Sequence, residues 1–379
     1  MSRRLRVGLN ARLLSWPSLR GWTRYTVNLL AELPASGVDV ILYSDRPICA
    51  VHLDRLPPGS FEIRIGRVRP YGAWEQGWLP WACGRDGVDL LHAPNNFGLP
   101  WTSPCPRVLT LHDAIDRLYH APRASLRESL ELISLRSRLA HWASRTRADR
   151  VITISEHSRR DLVNRLNLPA RKVRVTPLAA DPAMHCAVGT EERERVRSTY
   201  ELTKPYCFYV GGWEGRKNLP FLVRGFAAAG IEGMDLVLAG GSEDRRAGLL
   251  ELASSLGVEG RVKLLGFVDD ADLSALYGEA LCMAYPSEYE GFGLQVCEAM
   301  AVGCPVLAAR ATSLPEVLGN GGETFSLDDP GELAGLLRSV ADDKEFRDDL
   351  ASRARARSGD FSWRRTAEAT AAVYRELIN

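Results

Sequence analysis

The sequence predicts an α/β protein of two open, doubly wound domains. Short apolar runs alternate with longer mixed segments, the spacing of strands joined by helices in a mostly parallel sheet. The series stops at a polar interval and then restarts. The 379 residues also exceed the roughly 100–200 of one domain.

Leu5–Leu9 reads as the first strand, and Arg20–Leu33 as a helix ended by Pro34 and Gly37. Val38–Tyr43, Val88–His92 and Val108–His112 follow as strands. Leu126–Ala148 is long enough for a helix. Arg150–Ile154 is then a strand, Ser155–Leu166 a helix with Ser155 as N-cap, and Val173–Thr176 a strand. After Asp181–Lys204, strands recur at Cys207–Val210, Leu236–Ala239, Val262–Leu265, Leu281–Ala284 and Val306–Ala309. Helices fall at Leu219–Ala229, Arg245–Leu256, Ala271–Gly278 and Leu294–Val302. The expected division is 1–185, a linker 186–203, 204–360, and a last helix within 361–379. Periodicity leaves open whether that helix crosses back to the first domain. Such domains bind ligands beyond the carboxyl ends of their strands, so a cleft between the two is the expected site.

Composition is ordinary for a globular chain: 45% hydrophobic, 25% charged, net charge +1. That excludes wholesale disorder and gives no global field for nucleic acid. There is no secretory leader pattern and no apolar stretch of about 20 residues, so a cytoplasmic protein is expected. Eight scattered cysteines without a C-x-x-C pair read as buried free thiols. The balance hides one basic region: Asp116–Arg174 holds 14 Arg or Lys against 6 Asp or Glu. Its helix Leu126–Ala148 suits an anionic membrane surface as well as an ordinary place over a sheet.

The informative loops follow strands. In Tyr285–Pro305, a glycine-bearing loop with Glu290, Gly291, Phe292 and Gly293 leads into a helix starting at Leu294 and carrying Glu298. Glycines allow close backbone approach, and a helix N-terminus offers free N–H groups to phosphate. Glu290 and Glu298 could grip hydroxyls on either side, although helix starts favour acidic residues in any case. Gly211-Gly212-Trp213-Glu214-Gly215-Arg216-Lys217 offers two cations for a diphosphate. Gly240 and Gly241 follow another strand and could border a base or ribose. No metal cluster is evident and no isolated D-x-D motif is embedded between a strand and its donor loop; Asp269-Asp270 and Asp328-Asp329 read as loop caps, so no cofactor is expected.

The segment Glu290-Gly-Phe-Gly-Leu294…Glu298-Ala-Met-Ala-Val-Gly-Cys-Pro-Val306 resembles the E-x7-E signature of retaining glycosyltransferases of family 4. The resemblance runs over about 5–375. Asn10-Ala11-Arg12, Trp74-Glu75-Gln76, His112-Asp113 and Leu314-Pro315-Glu316-Val317 point to the mannosyltransferase-like branch of O-antigen and exopolysaccharide assembly. It implies a GT-B architecture, with two Rossmann-like domains facing across a cleft. It also implies a GDP- or UDP-linked sugar as donor and a glycan, lipid-linked or small-molecule acceptor. Glu298 would hold the ribose, Glu290 the donor sugar, and backbone amides from Gly291 to Leu294 the phosphate or sugar. Lys217 would bind the diphosphate. The arginine usually paired with it falls on Gly212, leaving Arg216 to compensate. His112 would lie near the sugar's C6 hydroxyl, with Asp113 beside it. Phe267 and Val268 would wall the base. On the acceptor side stand Gly21, Trp22 and Arg24, where Trp22 replaces the usual second glycine region, together with Ser158 and Arg159. An epimerase, a phosphorylase or a non-catalytic sugar-nucleotide-binding partner are the competing readings.

Overall fold

The computed structural model describes residues 3–17, 21–120, 138, 142–143, 145–186, 188–241 and 243–378. They form two compact units, Met1–Leu178 with Ser362–Asn379, and Ala179–Phe361.

The first unit carries a seven-stranded sheet of β1 (Leu5–Asn10), β2 (Val38–Ser44), β3 (Phe61–Ile65), β4 (Leu90–Ala93), β5 (Arg107–Thr110), β6 (Arg150–Thr153) and β7 (Val173–Val175). Their order is β3-β2-β1-β4-β5-β6-β7, and every neighbouring pair is parallel. Strand order therefore turns around between β1 and β4. Central strands are buried along their whole length because both faces of the sheet are covered, as Leu90–Ala93 shows. One core cluster gathers Leu109, Leu111, Val151, Leu162 and Val173, and another gathers Ile41, Tyr43, Trp74, Leu79 and Leu91.

The second unit repeats the plan with β8 (Tyr206–Gly211), β9 (Asp235–Gly240), β10 (Val262–Gly266), β11 (Cys282–Tyr285), β12 (Val306–Ala309) and β13 (Glu323–Phe325). The order is β10-β9-β8-β11-β12-β13, all parallel, so the turnaround lies between β8 and β11.

The last helix, Trp363–Ile378, packs within the first unit. Tyr374 is fully buried and bonds Nδ1 of His92 at 2.7 Å, while Glu376 pairs with Arg174 at 2.9 Å. The stretch 186–203 is not a bare linker, since Thr190–Thr199 is a helix of the second unit. Strand β5 ends at Thr110, short of the expected His112, because the backbone there turns to the Asn96 side chain. The helix expected over Ser155–Leu166 is an α-turn Glu156–Arg160 followed by a π-turn Asp161–Arg165. Five cysteines are buried as expected, but Cys49 and Cys105 are half-buried and Cys186 is exposed beyond the turn Pro182–His185. Most of the basic helix at Leu126–Ala148 lies outside the described residues.

Candidate active site

In the second unit the cations arrive from the end of β8. Gly211 leads through Trp213 into a tight turn, Gly215–Lys217, capped by Asn218 in the left-handed region. That turn holds Lys217 inward, with its side chain only 5% exposed. The acid comes from the loop after β11. Oε1 of Glu290 accepts from Lys217 Nζ at 2.6 Å, Arg216 Nη1 at 2.8 Å, Ser287 Oγ at 2.6 Å and Tyr285 Oη at 3.3 Å. Burial alone would push the Glu290 carboxyl up, but Lys217 and Arg216 outweigh it and hold it below the usual carboxylate range. Burial lowers the Lys217 ammonium; Arg216 adds to that, while Glu290 opposes it. Lys217 also donates to Tyr285 Oη at 2.6 Å, whose ring stacks on Tyr209.

The loop backbone is fixed from a third segment. The Glu290 N–H donates to Thr312 Oγ1, and the Ser313 hydroxyl donates to the Glu290 carbonyl, both at 2.9 Å. Thr312 has φ of +50°, a costly conformation for a β-branched residue, spent here on aiming its hydroxyl. Gly293 has φ of +96°, and a Cβ there would stand 2.6 Å from Leu314, so glycine is required where the loop enters the helix Leu294–Val302. No side chain caps that helix start. Gly291 and the buried Phe292 bridge Glu290 to it. Glu298, in the helix's second turn, is 2% exposed and receives the Tyr277 hydroxyl at 3.5 Å.

The structure therefore brings Arg216, Lys217 and Glu290 together. Gly212 carries no cation, and Arg216 occupies the place beside Lys217. Gly240 pairs with Gly211 across β8 and β9, and a Cβ on it would lie 2.2 Å from the Gly211 carbonyl. Phe267 is 73% exposed, whereas Val268 is buried. Sequence reasoning missed Tyr285, Ser287, Thr312 and Ser313, because hydroxyls that act through folded contacts leave no spacing signal.

In the first unit, His112 follows β5 and is buried. Its Nε2 bonds the Pro94 carbonyl at 3.2 Å. A carbonyl only accepts, so Nε2 carries the proton and Nδ1 is the acceptor. Burial lowers its pKa to about 4, so the ring is neutral at pH 7. Tyr25 meets it edge-on at 4.7 Å, and Trp22 lies 6.1 Å away. Trp22 opens the helix Trp22–Glu32 after Gly21, whose φ is +41°, and Arg24 stands in the same first turn. Trp22 also packs edge-to-face on Phe97. Asp113 accepts the Ile115 N–H at 3.0 Å and so shapes its own loop. Ser155 caps the N–H of the buried Ser158 at 3.0 Å, and Arg159 pairs with Glu156. These last contacts are local to a five-residue helix. Among the described residues, no three or more His, Cys, Asp or Glu are placed to hold a metal ion.

Residues 190–357 match the family described as glycosyl transferases group 1, and residues 19–183 match glycosyltransferase family 4. The chain is 32% identical over 314 residues to O-antigen chain mannosyltransferase B of Escherichia coli, covering 78% of this chain and 77% of that one. It is 33% identical over 248 residues to the D-inositol 3-phosphate glycosyltransferase of Salinispora arenicola, covering 61% and 55%. Among solved structures, Anabaena HepE in complex with UDP and glucose superposes with a TM-score of 0.75 at 19% identity, covering 98% of this chain and 100% of that one. The lipopolysaccharide glycosyltransferase WaaG superposes at 0.71 with 17% identity, covering 97% and 99%.

Proposed function

The chain belongs to the family 4 glycosyltransferases, of GT-B architecture, and on that basis we propose that it is a retaining hexosyltransferase. The donor is a GDP- or UDP-linked hexose, with mannose favoured over glucose. The acceptor is a hydroxyl of a glycan, a lipid-linked sugar or a small molecule. Relatives named as mannosyltransferases support the sugar assignment. The observation that carries the reading is the buried Arg216–Lys217–Glu290 group at the β8/β11 turnaround, where an open parallel sheet takes its ligand.

In this reading Lys217 and Arg216 stabilise the departing diphosphate as the bond to the anomeric carbon breaks. The acceptor oxygen bonds to that carbon on the same face, and its proton passes to the leaving phosphate oxygen. Glu290 holds the sugar and Glu298 the ribose. His112, as a neutral acceptor at Nδ1, suits a sugar hydroxyl.

Glu298→Ala is expected to weaken GDP or UDP binding by about tenfold or more, the loss of a charged hydrogen-bond partner. Calorimetry on the wild type and the variant reads it directly. Equal nucleotide affinity would take Glu298 out of the ribose site. Absence of transfer with every donor–acceptor pair would sink the transferase reading, and an epimer formed without acceptor, or phosphate-dependent cleavage, would replace it.

The reading includes peripheral contact with an anionic membrane from the first unit. Trp81 and Trp101 are 57% and 54% exposed. Trp101 meets Trp142 edge-to-face, and Arg85 and Arg147 lie over the Trp81 and Trp142 rings. Aromatic and basic side chains together suit a headgroup layer. No helix among the described residues is long and apolar enough to cross a membrane. Salt-sensitive co-sedimentation with phosphatidylglycerol vesicles, weakened in Trp81→Ala/Trp101→Ala, is expected; equal partition with phosphatidylcholine vesicles would remove the contact.

A further inference from the structure

The turnaround of the first sheet, at the carboxyl ends of β1 and β4, is the counterpart of the β8/β11 position in the second. Three segments converge on it. β1 ends at Asn10, whose Nδ2 donates to the Gly98 carbonyl at 2.8 Å. Gly98 belongs to the loop after β4 and has φ of +94°. A Cβ there would stand 2.5 Å from Asn10 Nδ2 and 3.6 Å from the Tyr71 hydroxyl, so the three are close neighbours. Tyr71 in turn donates its hydroxyl to Oε2 of Glu75, one helical turn on. Gln76 Nε2 donates to Oε1 at 2.7 Å.

Glu75 is not explained by the fold. Arg12 lies 3.9 Å over the Tyr71 ring, but its Nε is engaged by Asp45 at 3.0 Å. Among the described residues Glu75 has no ion-pair partner. Burial raises its carboxyl above the usual range, against Tyr71, Gln76 and Arg12, which lower it. A half-buried carboxylate whose one nearby cation, Arg12, is paired directly with Asp45 costs free energy unless more donors reach it. Each Glu75 oxygen holds one donor and has room for another. Neutral polyols supply such donors and bring no charge to be balanced, whereas a phosphate would be repelled. Phe97, one residue before Gly98 and packed on Trp22, adds an aromatic surface of the kind a pyranose ring covers.

We propose that this place is a sugar-hydroxyl subsite for the acceptor, in which Glu75 accepts from two neighbouring hydroxyls of a pyranoside and Tyr71 fixes the carboxylate. The assignment to the acceptor rests on the transferase reading above. It makes Glu75 a specificity residue of the first unit, separate from the diphosphate group of the second.

The test uses the full chain, with methyl α-D-mannopyranoside and methyl α-D-glucopyranoside as probes. Saturation-transfer NMR reads their binding, calorimetry reads GDP and UDP, and transfer assays read acceptor kcat/KM. In Glu75→Gln the glycoside signal should vanish and acceptor kcat/KM fall tenfold or more, with nucleotide Kd within twofold of wild type. Tyr71→Phe should show a smaller loss of the same pattern, and it decides the matter if Glu75→Gln does not fold. Unchanged glycoside binding in both variants overturns the subsite. So does a parallel loss of nucleotide affinity, or a wild type that binds neither glycoside. A wild type that binds nucleotide and glycoside but transfers nothing would overturn the transferase reading and leave the subsite standing.

Discussion

Lys217→Met is expected to slow sugar transfer by about a hundred- to a thousandfold, the usual cost of removing one preorganised charge from a developing anion. The ammonium is buried, held 2.6 Å from both Glu290 and Tyr285, and so needs little reorganisation when charge appears on the diphosphate. Methionine keeps much of the stem and removes the charge. The variant also leaves the buried Glu290 with Arg216 as its remaining cation. Breaking a buried pair costs about 3–5 kcal/mol of stability, an upper bound here because Arg216, Ser287 and Tyr285 still contact the carboxylate. Thermal unfolding therefore belongs beside the rate. Single-turnover transfer measured well below the variant's melting point separates the two effects, and a wild-type rate there would take Lys217 out of the reaction.

Glu290→Gln is expected to move binding and rate in opposite directions. The Glu290 carboxylate occupies both cations through one oxygen. A diphosphate must compete for them. Removing the negative charge should tighten GDP or UDP several-fold, while transfer falls by about a hundredfold or more because the sugar-holding acid is gone. The gain has a pH window. Glu290 raises the Lys217 pKa, and burial and Arg216 lower it. Without Glu290 the ammonium titrates at lower pH, so the alkaline limb of nucleotide binding moves down and the tighter binding is lost first at high pH. Calorimetry from pH 6 to 9 checks both signs. Weaker binding throughout the range would show that Glu290 assists the diphosphate rather than competing with it.

Much of the fold was legible because buried parallel strands write themselves as apolar runs, as at Val306–Ala309. Two of the four edge strands escaped. Phe61–Ile65 is partly exposed along its length, and Glu323–Phe325 is three residues long, so neither carries the run that marks a central strand. The break after Arg160 was invisible because a single π-turn is too short to leave a period of its own in the sequence. Lys217 and Glu290, which the structure brings together, were singled out in the sequence by their glycine-bearing loops and by the family resemblance those loops carry. Thr312 and Ser313 were not, since their role is to hold a peptide group 22 and 23 residues away. Glu75 and Tyr71 stood in plain view four residues apart. Only the β1/β4 turnaround and the Asn10–Gly98 contact give that spacing a meaning.

The return of Trp363–Ile378 to the first unit has a consequence for biosynthesis. His92 must wait for Tyr374, synthesised 282 residues later, before its ring is satisfied. The first half of the chain therefore leaves the ribosome without the helix that packs on it and on His92, while Ala179–Phe361 can close as a continuous piece. Maturation of this protein thus runs against the order of translation: the half made first is the half finished last.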